Sequence, residues 1–264
     1  MRTNTKVLFC AIMKRLNVDC VCDIGSRDGV QSSLFKGLLS HAQIVAFEAN
    51  PYNFARMKAS PQLSATGIDL VPSAVSNRNG TAAFHVIDVN YDDPNENTGT
   101  SSLLVHVGLE TKETVEVPVC RIDDFILERY PQSKCLGLWI DVEGAEYLVL
   151  EGMERIRDRV AVVHVETALT PMRIGQHAFA AVRELMSGFG FRLCGSNLGS
   201  GENWGDVLFV SEAARRELGM HFHLCQARAY MAQFVKVDHI AVFLKARMPG
   251  VYRFLRWLYV KIGT

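Results

Sequence analysis

Short, uniformly apolar runs alternate with amphipathic stretches along most of the chain. DCVCDIG (19–25), QIVAFEAN (43–50), DLVPSAVS (69–76), LGLWIDV (136–142) and VAVVHVE (160–166) have the length of buried strands. Between them the spacing turns helical. Val30, Leu34 and Leu38 recur on one face with Phe35 and Leu39 beside them, and Asn50-Pro51 predicts a cap and first turn for YNFARMKA. DDFILERY, EGAEYLVLEGM and HAFAAVRELMSGFG predict further helices, the last with Phe179, Val182 and Met186 aligned and glycines at its end. The alternation lapses once, after the third strand. There SNRNGTAAFHVID and VEVPVC (115–120) predict an antiparallel excursion around the polar loop 90–102. FRLCG and DVLFV, joined by a Gly-rich connection, predict a closing hairpin. The order predicts an α/β fold: a doubly wound, mostly parallel, Rossmann-like sheet with one antiparallel edge strand and a β-rich insertion after the third strand.

Three segments follow: an amino-terminal helix over 1–18 packed on the core, a main domain over 19–210, and a helical carboxyl-terminal appendage over 211–264. KVLFCAIMKRL, in the first of these, is too short to span a bilayer and lacks a small-residue cleavage site. The tail VYRFLRWLYVKIG mixes aromatics with Arg253, Arg256 and Lys261, which suits either packing on the core or a partner subunit, or peripheral contact with the inner face of a membrane through residues 249–264. With 48% apolar and 21% charged residues among 264, a large core is available. Basic and acidic residues balance at 28 each, so no net field would hold nucleic acid. Seven scattered cysteines lack zinc spacing and fit a reduced, cytoplasmic compartment.

Candidate chemistry begins at the first strand's carboxyl end, where ligands of open parallel sheets collect. DIGSRDG presents Asp23, Gly25, Ser26, Arg27, Asp28 and Gly29; the glycines admit a ligand close to the backbone. The spacing lacks the third glycine of the dinucleotide fingerprint. Two carboxylates, Asp23 and Asp28, would repel a diphosphate and suit a cationic, phosphate-free ligand such as S-adenosylmethionine. Glu48, ending the second strand, is placed to accept hydrogen bonds from ribose hydroxyls.

DIGSRDG, FEANP, GTSSL, RIDDF and IDVEGAEYLVLEG together resemble the FkbM-type methyltransferases, a branch of the class I S-adenosylmethionine-dependent enzymes that mostly methylate hydroxyls of sugars and natural products. The resemblance runs from about residue 19 to about residue 170. It implies Asp23, Gly25 and Gly29 at the methionine side of the cofactor, Glu48 at the ribose, and Ser73 and Ala74 near the adenine. Asp141, Glu143, Gly144 and Glu146 would lie near the transferring methyl, with Glu166 after the fifth strand. Two positions depart from the family: Ala49 replaces a common proline, and Trp139 stands where lysine is usual.

Methyl transfer to a hydroxyl needs the acceptor oxygen held in line and its proton removed. Asp141 is the first candidate for the base; Glu143 and Glu166 are alternatives or orient acceptor hydroxyls. Glu146 reads as a partner of its own helix start, and His164 as a core histidine. Asp141, Glu143 and Glu166 offer hard oxygens, but the reading includes no metal. Ser101 and Ser102, in the loop 90–102, are placed to contact cofactor or sugar. The expected activity is transfer of a methyl group from S-adenosylmethionine to a hydroxyl, on a sugar of a glycan, glycoconjugate or natural product. An NAD-dependent oxidoreductase and a non-catalytic cofactor-binding scaffold are the alternatives.

Overall fold

The computed structural model describes residues 3–87, 99–199, 201–235 and Gly250. The tail residues Arg253, Arg256 and Lys261, and most of the loop 90–102, therefore lie outside the described residues. Helix α1 (Thr5–Leu16) starts where the Asn4 side chain accepts from the Val7 N–H and ends at a left-handed Asn17. It buries Leu8, Phe9, Ile12 and Met13 against the sheet. β1 (Cys20–Ile24), α2 (Val30–Leu38), β2 (Gln43–Phe47), α3 (Pro51–Ala59), a single turn α4 (Pro61–Ser64) and β3 (Asp69–Val71) follow. As expected, Asn50 caps α3 through its side chain, with proline in the first turn.

The run 69–76 is not one strand. Pro72 has no N–H to give to a ladder, and the chain turns there, with Ser73 N–H donating to Val71 O at 2.9 Å. β3 stays in the main sheet, whereas β4 (Ala74–Ser76) joins a second, three-stranded sheet with β5 (Gly80–Val86) and β6 (Glu113–Arg121). β5 and β6 are antiparallel, as the excursion predicted, but β4 pairs with β6 in parallel.

The main alternation resumes with α5 (Ile122–Arg129), β7 (Leu136–Ile140), α6 (Glu146–Glu151), a 3₁₀ segment over Glu154–Arg159 that the periodicity does not announce, β8 (Val160–Ala168), α7 (Phe179–Gly188), β9 (Phe191–Ser196) and β10 (Trp204–Ser211). α8 (Glu212–Leu218) and α9 (Met220–Val235) follow, and α9 packs on α1. The seven-stranded sheet has the order β3-β2-β1-β7-β8-β10-β9, the class I methyltransferase arrangement. Its antiparallel strand is β10, which lies between β8 and β9 and pairs antiparallel with both. The reversal of strand order falls between β1 and β7, so the carboxyl ends of β1, β2, β7 and β8 converge on one crest.

Two apolar layers sandwich this sheet. One holds Ile24, Phe47, Leu138 and Val165; the other holds Phe9, Phe35, Trp139 and Val162. All seven cysteines are free thiols, and Cys20 and Cys22 share the first layer. Among the described residues no helix is long and apolar enough to cross a membrane.

Candidate active site

At the crest the backbone of β1 passes into α2 through Gly25 (φ +85°) and Gly29 (φ +75°). A Cβ on Gly25 would overlap the carbonyl oxygen of Asp141, and one on Gly29 would come within 2.6 Å of the Leu63 side chain. Gly25 is therefore required by close approach to another backbone as well as by left-handed geometry, and Gly29 by its left-handed backbone. Asp23 is buried beneath this turn. Its Oδ2 accepts from Ser26 Oγ at 2.7 Å and Ser32 Oγ at 2.5 Å, and burial pushes its carboxyl upward against these hydrogen bonds.

A cavity opens over β1 and β2, bounded by Ile24, Phe47, Ala74, Val75 and Phe84 on its apolar side and by Glu48, Asn50, Asn53 and Ser73 on its polar side. Of the expected cofactor residues, Gly25, Arg27, Glu48, Ser73, Ala74 and Asp141 line it. Asp23, Ser26, Asp28 and Gly29 do not; they build the turn beneath and beside it. Asp28 is exposed and accepts from the Val30 N–H at 3.0 Å, tying down the start of α2. Glu48 has a partner on each oxygen: Arg27 N–H donates to Oε2 at 2.6 Å and Asn50 N–H to Oε1 at 2.7 Å. Burial nevertheless raises its carboxyl to about 7. Ser101 lines the cavity and accepts from Ile87 N–H, whereas Ser102 is buried, bridges to His85 and donates to Val142 O at 3.4 Å.

The other half of the crest is acidic. Asp141, Glu143 and Glu166 each place a carboxylate oxygen within 4.8 Å of the others. That spacing could accept a hard divalent ion, although Glu143 already binds a cation of the chain itself: its Oε2 accepts from Arg173 Nη2 at 2.5 Å. Burial raises Asp141 to about 8, with Glu143 and Glu146 adding to it. Burial, then Asp141, raises Glu166 to about 9. Glu143 is raised by burial against the pull of Arg173. Glu146 accepts from the Gly144 N–H at 2.7 Å, so it serves its own helix start as expected, and burial holds it at about 7.

Sequence reasoning missed Arg173, Asp206, Asn50 and Asn53. Arg173 is 3% exposed; besides Glu143 it donates to Thr100 O at 3.1 Å, and its Cδ lies where a Cβ on Gly144 would approach to 2.8 Å. Asp206 sits opposite Glu166 in the β8–β10 ladder. Neither belongs to a motif, and both arrive through the fold of distant segments. Trp139 does not reach the crest: it is buried, stacked on His164 with ring centroids 3.5 Å apart and 3° between planes. His164 hydrogen-bonds Thr5 Oγ1 at 3.1 Å, and burial lowers it to about 3. It is neutral, so its 3.8 Å approach to Asp206 is no ion pair.

The Methyltransferase FkbM domain family matches residues 23–193. The chain is similar to 2-O-methyltransferase NoeI of Sinorhizobium fredii (strain NBRC 101917 / NGR234), 26% identical over 175 residues that cover 64% of this chain and 71% of that protein. Among solved structures it is similar to Methyltransferase FkbM from Methylobacillus flagellatus KT, with a TM-score of 0.44 and 14% identity over 74% of this chain. It spans 44% of that chain's length. It is also similar to magnesium protoporphyrin IX methyltransferase from Synechocystis PCC 6803 with bound SAM, at a TM-score of 0.43 and 9% identity, over 79% of this chain and 78% of that one.

Proposed function

The chain belongs to the FkbM methyltransferase family, whose methyl donor is S-adenosylmethionine, and on that premise we propose that it methylates a hydroxyl oxygen of a sugar in a glycan, glycoconjugate or natural product. The family sets aside the dinucleotide-dependent oxidoreductase. The observation that carries the finer reading is the pair Asp141 and Glu166, two half-buried carboxyls within 4.8 Å of each other, the first of them lining a cavity whose walls suit a nucleoside. The name of the Sinorhizobium fredii relative, a 2-O-methyltransferase, supports oxygen as the acceptor atom.

The cavity residues fit the donor. Ile24, Phe47, Ala74, Val75 and Phe84 offer an apolar slot for an adenine, and Glu48 retains lone pairs for ribose hydroxyls after its two backbone contacts. When bound, S-adenosylmethionine supplies an electrophilic methyl on a positively charged sulfur. The acidic crest favours a cation where it would repel a pyrophosphate.

Asp141 accepts the acceptor's proton on a carboxylate oxygen. With its carboxyl raised to about 8, it is largely protonated at neutral pH in the free protein, and turnover rises with pH as it ionises. A positive charge nearby lowers that value toward neutrality. Glu166, raised to about 9, keeps its proton longer and can donate a hydrogen bond to the acceptor. Glu143 is held by Arg173 and shapes the turn. Seven free thiols support a cytoplasmic location, with peripheral membrane or subunit contact left to residues 249–264.

Mass spectrometry of cell-envelope glycans and small metabolites, with the gene intact and deleted, tests the reading. A sugar lighter by one methyl group on deletion is expected; a lost methyl on nitrogen or carbon instead of oxygen overturns it.

A further inference from the structure

The indole of Trp204 is 47% exposed at the first residue of β10. Because β10 runs antiparallel to β8, its start lies at the crest. Trp204 pairs with Ala168 and Asp206 with Glu166, and directly opposed residues share a face of the sheet. Trp204, Asp206 and Glu166 therefore form one surface, with Trp204 about 7 Å further along the strand than Asp206. Trp139 and His164 are opposed in the β7–β8 ladder, so Asp141, two residues beyond Trp139, continues the same row from the next strand.

This corner is rigid from both sides. Asn203, one residue before the tryptophan, accepts from Thr170 N–H at 3.0 Å through its side chain and donates back to Thr170 O at 2.7 Å. Leu169 N–H donates to Asn203 O at 2.7 Å. One residue after it, a Cβ on Gly205 would come within 2.7 Å of Asn197 Oδ1, and Asn197 holds Asp206 by its side-chain amide at 2.8 Å and by the Asp206 N–H at 2.6 Å. A large exposed ring on a backbone pinned at both flanks is preorganised for binding, since little freedom remains to be lost.

We propose that Trp204 is the platform of the acceptor subsite: a saccharide ring lies with its C–H face on the indole while its hydroxyls hydrogen-bond to Asp206 and Glu166. The inference rests on the hydroxyl-methylating reading and deepens it. Aromatic faces carry negative charge density and attract polarised C–H bonds, while carboxyl oxygens accept from hydroxyls. A saccharide presents both patterns at once, apolar on one face and hydroxylated at its rim. An acyl chain would leave the carboxyls without partners. Burial raises the carboxyls of Asp141 and Glu166, so each can hold a proton and donate to, as well as accept from, a hydroxyl. The cofactor cavity lies over β1 and β2, so the β8–β10 side is left for the acceptor.

The full chain, saturated with S-adenosylhomocysteine, is titrated with the methyl glycosides of glucose, mannose, galactose and fucose, and binding is followed by saturation-transfer NMR. We expect ring C–H signals from at least one glycoside, an affinity weaker by about ten-fold or more in Trp204→Ala, and partial recovery in Trp204→Phe. S-adenosylhomocysteine affinity, measured by calorimetry, stays within about two-fold in both variants, which reports an intact cofactor half. Equal glycoside affinity in Trp204→Ala overturns the platform and leaves sugar methylation standing. Absence of glycoside binding by a wild-type protein that binds S-adenosylhomocysteine overturns the platform. An amine methylated in place of a sugar overturns both it and the function from which it follows.

Discussion

On β7 and β8, Trp139 and His164 lie face to face in a dry layer, while two residues further along each strand Asp141 and Glu166 confront one another at the crest. The lower pair is settled. The imidazole is neutral, hydrogen-bonded to Thr5, and packed against Phe9 and Trp139, with Phe35 behind them. The upper pair is opposed: like charges share a poorly hydrated space, and both carboxyls respond by holding protons. The same two strands thus supply a stabilising layer and a destabilising one. The difference teaches where this fold holds its stability: packing beneath the crest offsets the cost of crowding carboxyls upon it.

The largest effect should come from the upper layer. Asp141→Asn is expected to lower turnover by about 10²- to 10⁴-fold, the range of a lost general base, measured as radiolabelled methyl incorporation into the acceptor. It should leave S-adenosylhomocysteine affinity nearly unchanged and raise the thermal midpoint at pH 8, because a strained carboxylate is gone. Full turnover in this variant would remove Asp141 from the base role.

The lower layer should answer in the opposite way. Trp139→Ala removes a ring packed against Phe9, Phe35 and His164, and is expected to cost about 3–5 kcal/mol in urea unfolding. Turnover per folded molecule should change little. A large drop in turnover with little loss of stability would show that Trp139 acts on the crest after all.

The smallest effect is one of pH. Asp141, Glu166, Glu48 and Glu146 all have folded values above the carboxylate range near 4 of an unfolded chain, so the folded protein binds more protons and stability falls as pH rises through about 7 to 9. His164, lowered to about 3, works the other way only below its unfolded value of about 6.5. The ligand-free thermal midpoint should therefore decline by a few degrees from pH 6.5 to 9, as calorimetry would record. Asp141→Asn should flatten that decline.

Most of the sheet was legible because its strands are uniformly apolar and its helices periodic, signals that survive without tertiary context. Gly25 and Glu48 were legible for a second reason, because strand ends in an open parallel sheet converge by topology, whereas Ser73, Ala74 and Asp141 were reached through the family resemblance. Asp23 and Asp28 illustrate the limit. Sequence places them beside the ligand, but hydroxyls of Ser26 and Ser32 bind one and the start of α2 binds the other. Arg173 was illegible because its partner Glu143 is remote in sequence and no local pattern marks the meeting. The break at Pro72 was visible as a residue but not weighed against an otherwise apolar run.

That break shapes what evolution can do with the protein. β4, β5 and β6 form their own sheet, tied back to the main domain by Ser102 on Val142 O and Arg173 on Thr100 O, and Ser73, Ala74, Val75 and Phe84 wall the cavity beside it. None of these three strands contributes a rung to the seven-stranded ladder, so a change in the small sheet reaches the cavity wall without altering the register of the large one. Selectivity at the pocket's rim can thereby diversify while the scaffold beneath stays fixed.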